Sequence, residues 1–282
     1  MPTIREKRVY VDQSGTVAAY VAAALGVAVA RVSDDKIGEF ALAHRCTARD
    51  VAATALGVAA ATAEDVLVEA DGGDGDAFAA TGFGPAVAVT GDGDGVLAAG
   101  EDGRLARYDG DDWTTVGALD DEVRALDGGL VAAADGVHRV TADGVEGVGL
   151  DDARDVAAGA VPLAATADGL FRLGAGWMRT LDGGFEVAAA DPVTGDGGLE
   201  RAHAATADAL YEHDPAAAAG DGWAVRDLPV DGAVADVAYA TDATVVLTAD
   251  GALAADAGDG FRHRSLGLRD ASALAVVAEG NA

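Results

Sequence analysis

Leu163-Ala164-Ala165-Thr166-Ala167-Asp168-Gly169-Leu170-Phe171-Arg172-Leu173 is the stretch on which the fold turns. A short apolar run reaches an Asp-Gly pair, and a second run follows. Glycine tolerates the positive φ of a tight turn, so the segment reads as a β-hairpin. The pattern recurs: residues 97–103 lead into 105–108, and 130–136 lead into 137–140. Weaker copies occupy 204–211 and 245–253. Adding the acidic turns at Asp34 and Asp65, the turn centres fall at 34, 65, 102, 135, 168, 208 and 250, a mean spacing of 36 residues.

Four copies continue to an aromatic after a glycine-containing turn, at Trp113, Trp177, Trp223 and Phe261, with Val145 in the corresponding place between the first two. A further turn leads to another apolar run, at 123–126, 153–157, 186–190 and 234–239. Four strands in a repeat of roughly 40 residues, with no helix-length segment between them, is the signature of a propeller blade. Alanine favours helix and helical solenoids repeat at similar lengths. The 39 glycines, however, interrupt any helix long enough for a solenoid. The sequence therefore predicts an all-β, seven-bladed β-propeller of four-stranded antiparallel blades, with six or eight blades as alternatives, in a single domain over residues 1–282. Residues 4–11 and 272–278 both read as strands beyond the repeats, and either is able to close the ring.

The segment Ala-Ala-Thr-Ala-Asp-Gly-Leu-Phe-Arg…Gly-Trp at 164–177 resembles the repeats of Asp-box, sortilin and sialidase-like propellers. The Ser-x-Asp-x-Gly-x-Thr-Trp spacing of an Asp-box is incomplete in every copy, so this resemblance implies a fold and no activity. With its acidity, the whole chain resembles a haloarchaeal family of β-propeller proteins. Lys+Arg is 19 against 48 Asp+Glu, a formal net charge of −29 with a pI near 4.1. Lys7 and Lys36 are the only lysines. Such acidity costs stability by self-repulsion unless salt screens it, which implies a halophilic setting. It excludes a general nucleic-acid binder, which needs a basic footprint, and docking on anionic lipid. The single cysteine, Cys46, excludes an internal disulfide framework and a cysteine-based zinc cluster.

The apolar run 17–30, after Arg5, Lys7 and Arg8, ends in Ala28-Val29-Ala30 and competes as a signal peptide. Glu6 and Asp12 oppose that reading, and Ala24-Leu25-Gly26-Val27-Ala28 recurs as Ala55-Leu56-Gly57-Val58-Ala59. A segment repeated inside the chain reads as structure, so the expected compartment is the cytoplasm, with no membrane span.

Chemistry is hard to place. The histidines, His44, His138, His203, His213 and His263, form no metal-ligand pattern, although His203 and His213 flank one hairpin turn. Asp92-Gly93-Asp94 and residues 71–76 offer oxygens without the spacing of a calcium loop. Residues 191–198 form an insertion in the sixth repeat. Tyr10, Tyr20, Tyr108, Tyr211 and Tyr239 show no recurrent acidic companion for sialidase-like chemistry. No catalytic residue, metal ligand or cofactor is predicted. One concentration of positive charge stands out: Arg5, Lys7 and Arg8 near one end, and Arg262, His263, Arg264 and Arg269 near the other. If the ends meet, these form a basic patch on an acidic body, suited to an acidic protein partner or to a run of RNA phosphates. The functional expectation is a non-catalytic interaction platform. The alternatives are a glycan-acting, sialidase-like enzyme and a small-ligand or metal binder at the central channel.

Overall fold

The computed structural model describes residues 15–70, 77–192, 198–216 and 222–278. These residues form seven four-stranded antiparallel sheets, with strands numbered along the chain. The second blade holds β4 (Ala48–Thr54), β5 (Gly57–Thr62), β6 (Val66–Glu69) and β7 (Phe78–Ala80). The third holds β8 (Ala86–Asp92), β9 (Gly95–Gly100), β10 (Arg104–Tyr108) and β11 (Trp113–Ala118). The fourth holds β12 (Val123–Asp127), β13 (Leu130–Ala133), β14 (Gly136–Thr141) and β15 (Gly144–Gly149). The fifth holds β16 (Ala153–Ala157), β17 (Leu163–Thr166), β18 (Gly169–Leu173) and β19 (Trp177–Asp182). The sixth holds β20 (Val187–Ala190), β21 (Ala202–Ala205), β22 (Leu210–His213) and β23 (Trp223–Arg226). The seventh holds β24 (Val234–Tyr239), β25 (Thr244–Thr248), β26 (Ala252–Asp256) and β27 (Arg262–Ser265). The first blade takes β1 (Thr16–Ala23), β2 (Gly26–Ser33) and β3 (Lys36–His44), and its inner strand is the last of the chain, β28 (Ala273–Ala278).

The C-terminal strand thus closes the ring: β28 pairs with β1 from Val17↔Ala278 to Ala22↔Ala273. Residues 4–11, the other candidate for closure, lie outside the described residues. The run 17–30 forms the β1–β2 hairpin of the first blade.

Why alanine-rich strands build blades follows from burial on both faces. Alternate residues point to opposite sides of a strand. In β9, Val96 and Ala98 pack against the second blade while Leu97 and Ala99 pack against the fourth. Every buried cluster lies between two neighbouring blades, such as Leu163, Ala165 and Leu170 against Phe185, Ala188 and Ala204. A strand buried on both faces must be apolar throughout, and a small side chain lets the adjacent sheet approach.

The hairpin turns have a common hydroxyl device. Thr166 Oγ1 accepts hydrogen bonds from the amides of Asp168 and Gly169 and donates to the Gly169 carbonyl. Thr62 does the same around Asp65, and Thr248 with Ala252. Six of the seven sequence-predicted turns join the second and third strands of a blade. Asp34 is the exception, because it joins the third and fourth strands of the first blade. Trp113, Trp177 and Trp223 each open an outer strand, and Phe261 directly precedes one. Two of them bond back to the preceding blade: Trp113 Nε1 donates to the Thr81 carbonyl and Trp177 Nε1 to that of Val148.

Candidate functional site

The seven inner strands β28, β4, β8, β12, β16, β20 and β24 line a central cavity of about 770 Å³. All run in the same direction along it, so the cavity has two chemically distinct ends. At the end where the inner strands begin, Arg49, Arg124 and Arg154 occupy the extra position of a β-bulge in β4, β12 and β16. A bulge re-aims the side chain it carries, and each arginine reaches the next blade. Arg49 donates to the Ala86 carbonyl and pairs with Glu101. Arg124 pairs with Asp152 and donates to the Ala153 carbonyl, and Arg154 pairs with Glu186. The opposite end is lined by small and apolar residues, including Ala53, Gly91, Gly128, Ala160 and Pro192.

Within the wall sit four carboxylates. Asp50 Oδ1 accepts from the Val51 amide while Oδ2 accepts from Val89 of the next blade. Asp155 repeats this with Val156 and Ala188, and Asp236 with Val237 and Leu274. Asp127 accepts from Ala158. Each therefore ties one inner strand to the next. The remaining junctions use other groups: Thr90 accepts from the Gly128 amide, Arg201 donates to the Ala240 carbonyl, and Ser272 donates to the Arg49 carbonyl. Every junction around the ring thus has a polar staple at or beside the channel.

These carboxylates lie in the channel wall with dense protein around them. Burial raises Asp50 to about 7 against two lowering backbone hydrogen bonds, and Asp155 to about 7 by the same balance. Burial, reinforced by the negative charge of Asp155 across the channel, raises Asp236 well above the ordinary carboxylate range. Asp127 is raised by burial as well. The sequence did carry a signal for this ring, because Ala-Arg-Asp-Val-Ala occurs identically at 48–52 and 153–157 and nearly so at 234–238. Read only as apolar runs, those segments concealed their aspartates.

The histidine pair on the sixth hairpin does not converge. His203 opposes Glu212 in the β21–β22 ladder and His213 opposes Ala202, so adjacent positions send the two rings to opposite faces. His203 is fully buried, its Nδ1 is 3.0 Å from the Tyr239 hydroxyl, and burial depresses it to about 3. Among the described residues no group of three or more His, Cys, Asp or Glu side chains is placed to hold a metal ion. Asp92 pairs with Arg107, and residues 71–76 lie outside the described set. The 191–198 insertion connects β20 to β21 at the apolar end of the channel, with 193–197 outside the described residues. One tyrosine has an acidic companion that its sequence neighbourhood concealed: Tyr20 donates to Glu69 Oε1 at 2.9 Å, between the first two blades rather than in the channel. Tyr239 is a channel-wall residue whose hydroxyl donates to the Ala189 carbonyl.

Of the basic patch, Arg5, Lys7 and Arg8 lie outside the described residues. The other members sit where the seventh blade meets the first. Arg262 pairs with Asp35 at 2.7 Å. Arg264 donates to the carbonyls of Ile37 and Gly38 and stacks over Phe40. His263, between them on β27, alternates to the opposite, exposed face, and Arg269 is exposed beyond β27, its carbonyl accepting from the Ala24 amide at the β1–β2 turn, so the structure does not gather these two with Arg262 and Arg264. Phe40 and Leu42, both 40% exposed, lie along the same seam on β3.

The family model of the HVO_0234-like beta propeller matches residues 3–277. The chain belongs to this HVO_0234-like propeller family. No curated protein matches it. Among solved structures, it is similar to the computationally designed Ika8 protein at 15% identity and TM-score 0.56, covering 93% of this chain and 90% of that one. It is similar to apo AztD from Citrobacter koseri at 12% identity and TM-score 0.53, covering 89% and 82%. YCF48 bound to D1 peptide aligns at 14% identity and TM-score 0.52, covering 77% and 82%. At these identities the structural likenesses establish the fold alone. No helix among the described residues is long and apolar enough to cross a membrane.

Proposed function

We propose that this propeller is a non-catalytic platform for protein partners in a halophilic cytoplasm. The observation that carries the reading is the seam of the seventh and first blades. There Lys36, Arg262 and Arg264 border exposed Phe40 and Leu42 on a chain of net charge −29. Positive charge collected beside apolar surface favours an acidic partner and sets its orientation. The polar groups of the channel, by contrast, are engaged in tying blade to blade. YCF48, with its bound D1 peptide, is a fold-level analogy for peptide recognition. The likeness of residues 164–177 to Asp-box, sortilin and sialidase-like repeats belongs to this reading as a relation of fold without activity.

Arg262 and Arg264 also hold the seventh blade to the first, so charge reversal is best made at their neighbour. Lys36→Glu is expected to abolish recovery of a partner purified in multimolar salt, while the melting temperature stays at the wild-type value. Unchanged recovery retires the basic seam as the platform.

A further inference from the structure

We propose that the outer edge of β3 receives an extended acidic segment of a partner protein as a fifth strand of the first blade. This rests on the platform reading and specifies its mode. β3 is the terminal strand of its sheet, so among the described residues its outward N–H and C=O groups have no strand partner. It is nine residues long, whereas the outer strands of the neighbouring second and seventh blades have three and four. A long, apolar edge strand is a ready template for pairing, and proteins ordinarily shield one. Here Arg264 caps the Ile37 and Gly38 carbonyls and the β2–β3 ladder is irregular opposite Arg31 and beside Ala43, which leaves the regular stretch from Phe40 to Leu42 open. Phe40 and Leu42 oppose Ala30 and Ala28 of β2, so they share one face and present two apolar positions at the strand period.

Charge chooses the occupant. Lys36 on β3 and Arg264 over Phe40 are the cations at this edge, while Arg262 and Asp35 neutralise one another and Glu39 is the one acid on the strand. An acidic strand with alternating apolar residues therefore satisfies backbone, apolar and electrostatic demands together.

The test uses the full chain in about 1 M KCl, where only contact-range ion pairs survive screening. The probe is a fluorescein-labelled, end-blocked octapeptide alternating aspartate and valine, followed by fluorescence anisotropy. The expected result is saturable binding, weakened about tenfold or more by N-methylation of alternate peptide amides, by lysine in place of aspartate, and by Phe40→Glu. Leu42→Lys is the second variant, and melting curves verify that both variants fold. Absence of binding, equal binding of the N-methylated peptide, or wild-type binding by both folded variants overturns the proposal. So does a wild-type dimer in sedimentation that Phe40→Glu dissociates, since the edge then serves a second copy. If the octapeptide fails while a purified partner is still lost on Lys36→Glu, strand addition falls and the platform stands.

Discussion

At the level of single residues, the channel aspartates perform a task that their apolar surroundings oppose. Asp50, Asp155 and Asp236 each bridge two inner strands, yet burial favours their protonated forms. A carboxyl whose folded pKa is raised stabilises the fold below its unfolded value, near 4, and loses that contribution as pH climbs through about 7. His203 acts in the opposite sense. Held neutral to about 3, it favours the fold above pH 6.5 and penalises it on acidification. Asp155→Asn keeps one acceptor and removes the titration. Its stability relative to wild type is expected to rise between pH 5 and pH 8 by about 1–2 kcal/mol, or roughly 3–6 °C in melting temperature. A difference that stays flat across this range would show that burial does not control Asp155. In the sequence only the recurrence of Ala-Arg-Asp-Val-Ala at 48–52 and 153–157, and nearly so at 234–238, marks these aspartates among the 48 acids, and it does not show that they face the next blade's inner strand.

At the level of strands and turns, the hairpin grammar of the sequence carries through to the structure with one change of phase. The acidic turns from Asp65 onward mark the second-to-third connection, and the aromatics mark the start of outer strands. The two copies of Ala-Leu-Gly-Val-Ala have different places: 24–28 joins the second strand to the third, and 55–59 joins the first to the second. Both turn on a glycine of positive φ, Gly26 and Gly57, so periodicity by itself could not tell them apart. Only pairing with β28, far away in sequence, sets the phase of the first blade. Gly26 shows how tightly its turn is built. Its φ is +135°, and a Cβ there would lie 2.0 Å from the His44 carbonyl oxygen. Gly93 has φ +59° with open space around it. Gly26→Ala is expected to cost at least about 3 kcal/mol in urea denaturation and Gly93→Ala about 1 kcal/mol. Equal costs would mean that the β1–β2 turn does not approach His44 as described.

At the level of the whole molecule, a net charge of −29 wraps a ring of seven interblade cores. Self-repulsion acts on the entire ring, so the melting temperature is expected to rise substantially between about 0.1 M and 3 M KCl, as the Debye length contracts from about 10 Å to below 3 Å. A constant value would separate the acidity from salt adaptation. Blade architecture was readable because each blade repeats a local pattern. The channel staples and the β3 seam were not, because they join residues from different blades, such as Arg264 with Gly38. Everything at these sites depends on closure of the ring by the chain's last strand. Hydrogen exchange resolved to the amides of β28 and β1 tests that closure most directly. The expected result is that the β28 amides bonded to β1 exchange as slowly as those of β1 itself, both through global unfolding. Rapid exchange of β28 while the other inner strands remain protected would contradict a ring closed by Ala273–Ala278.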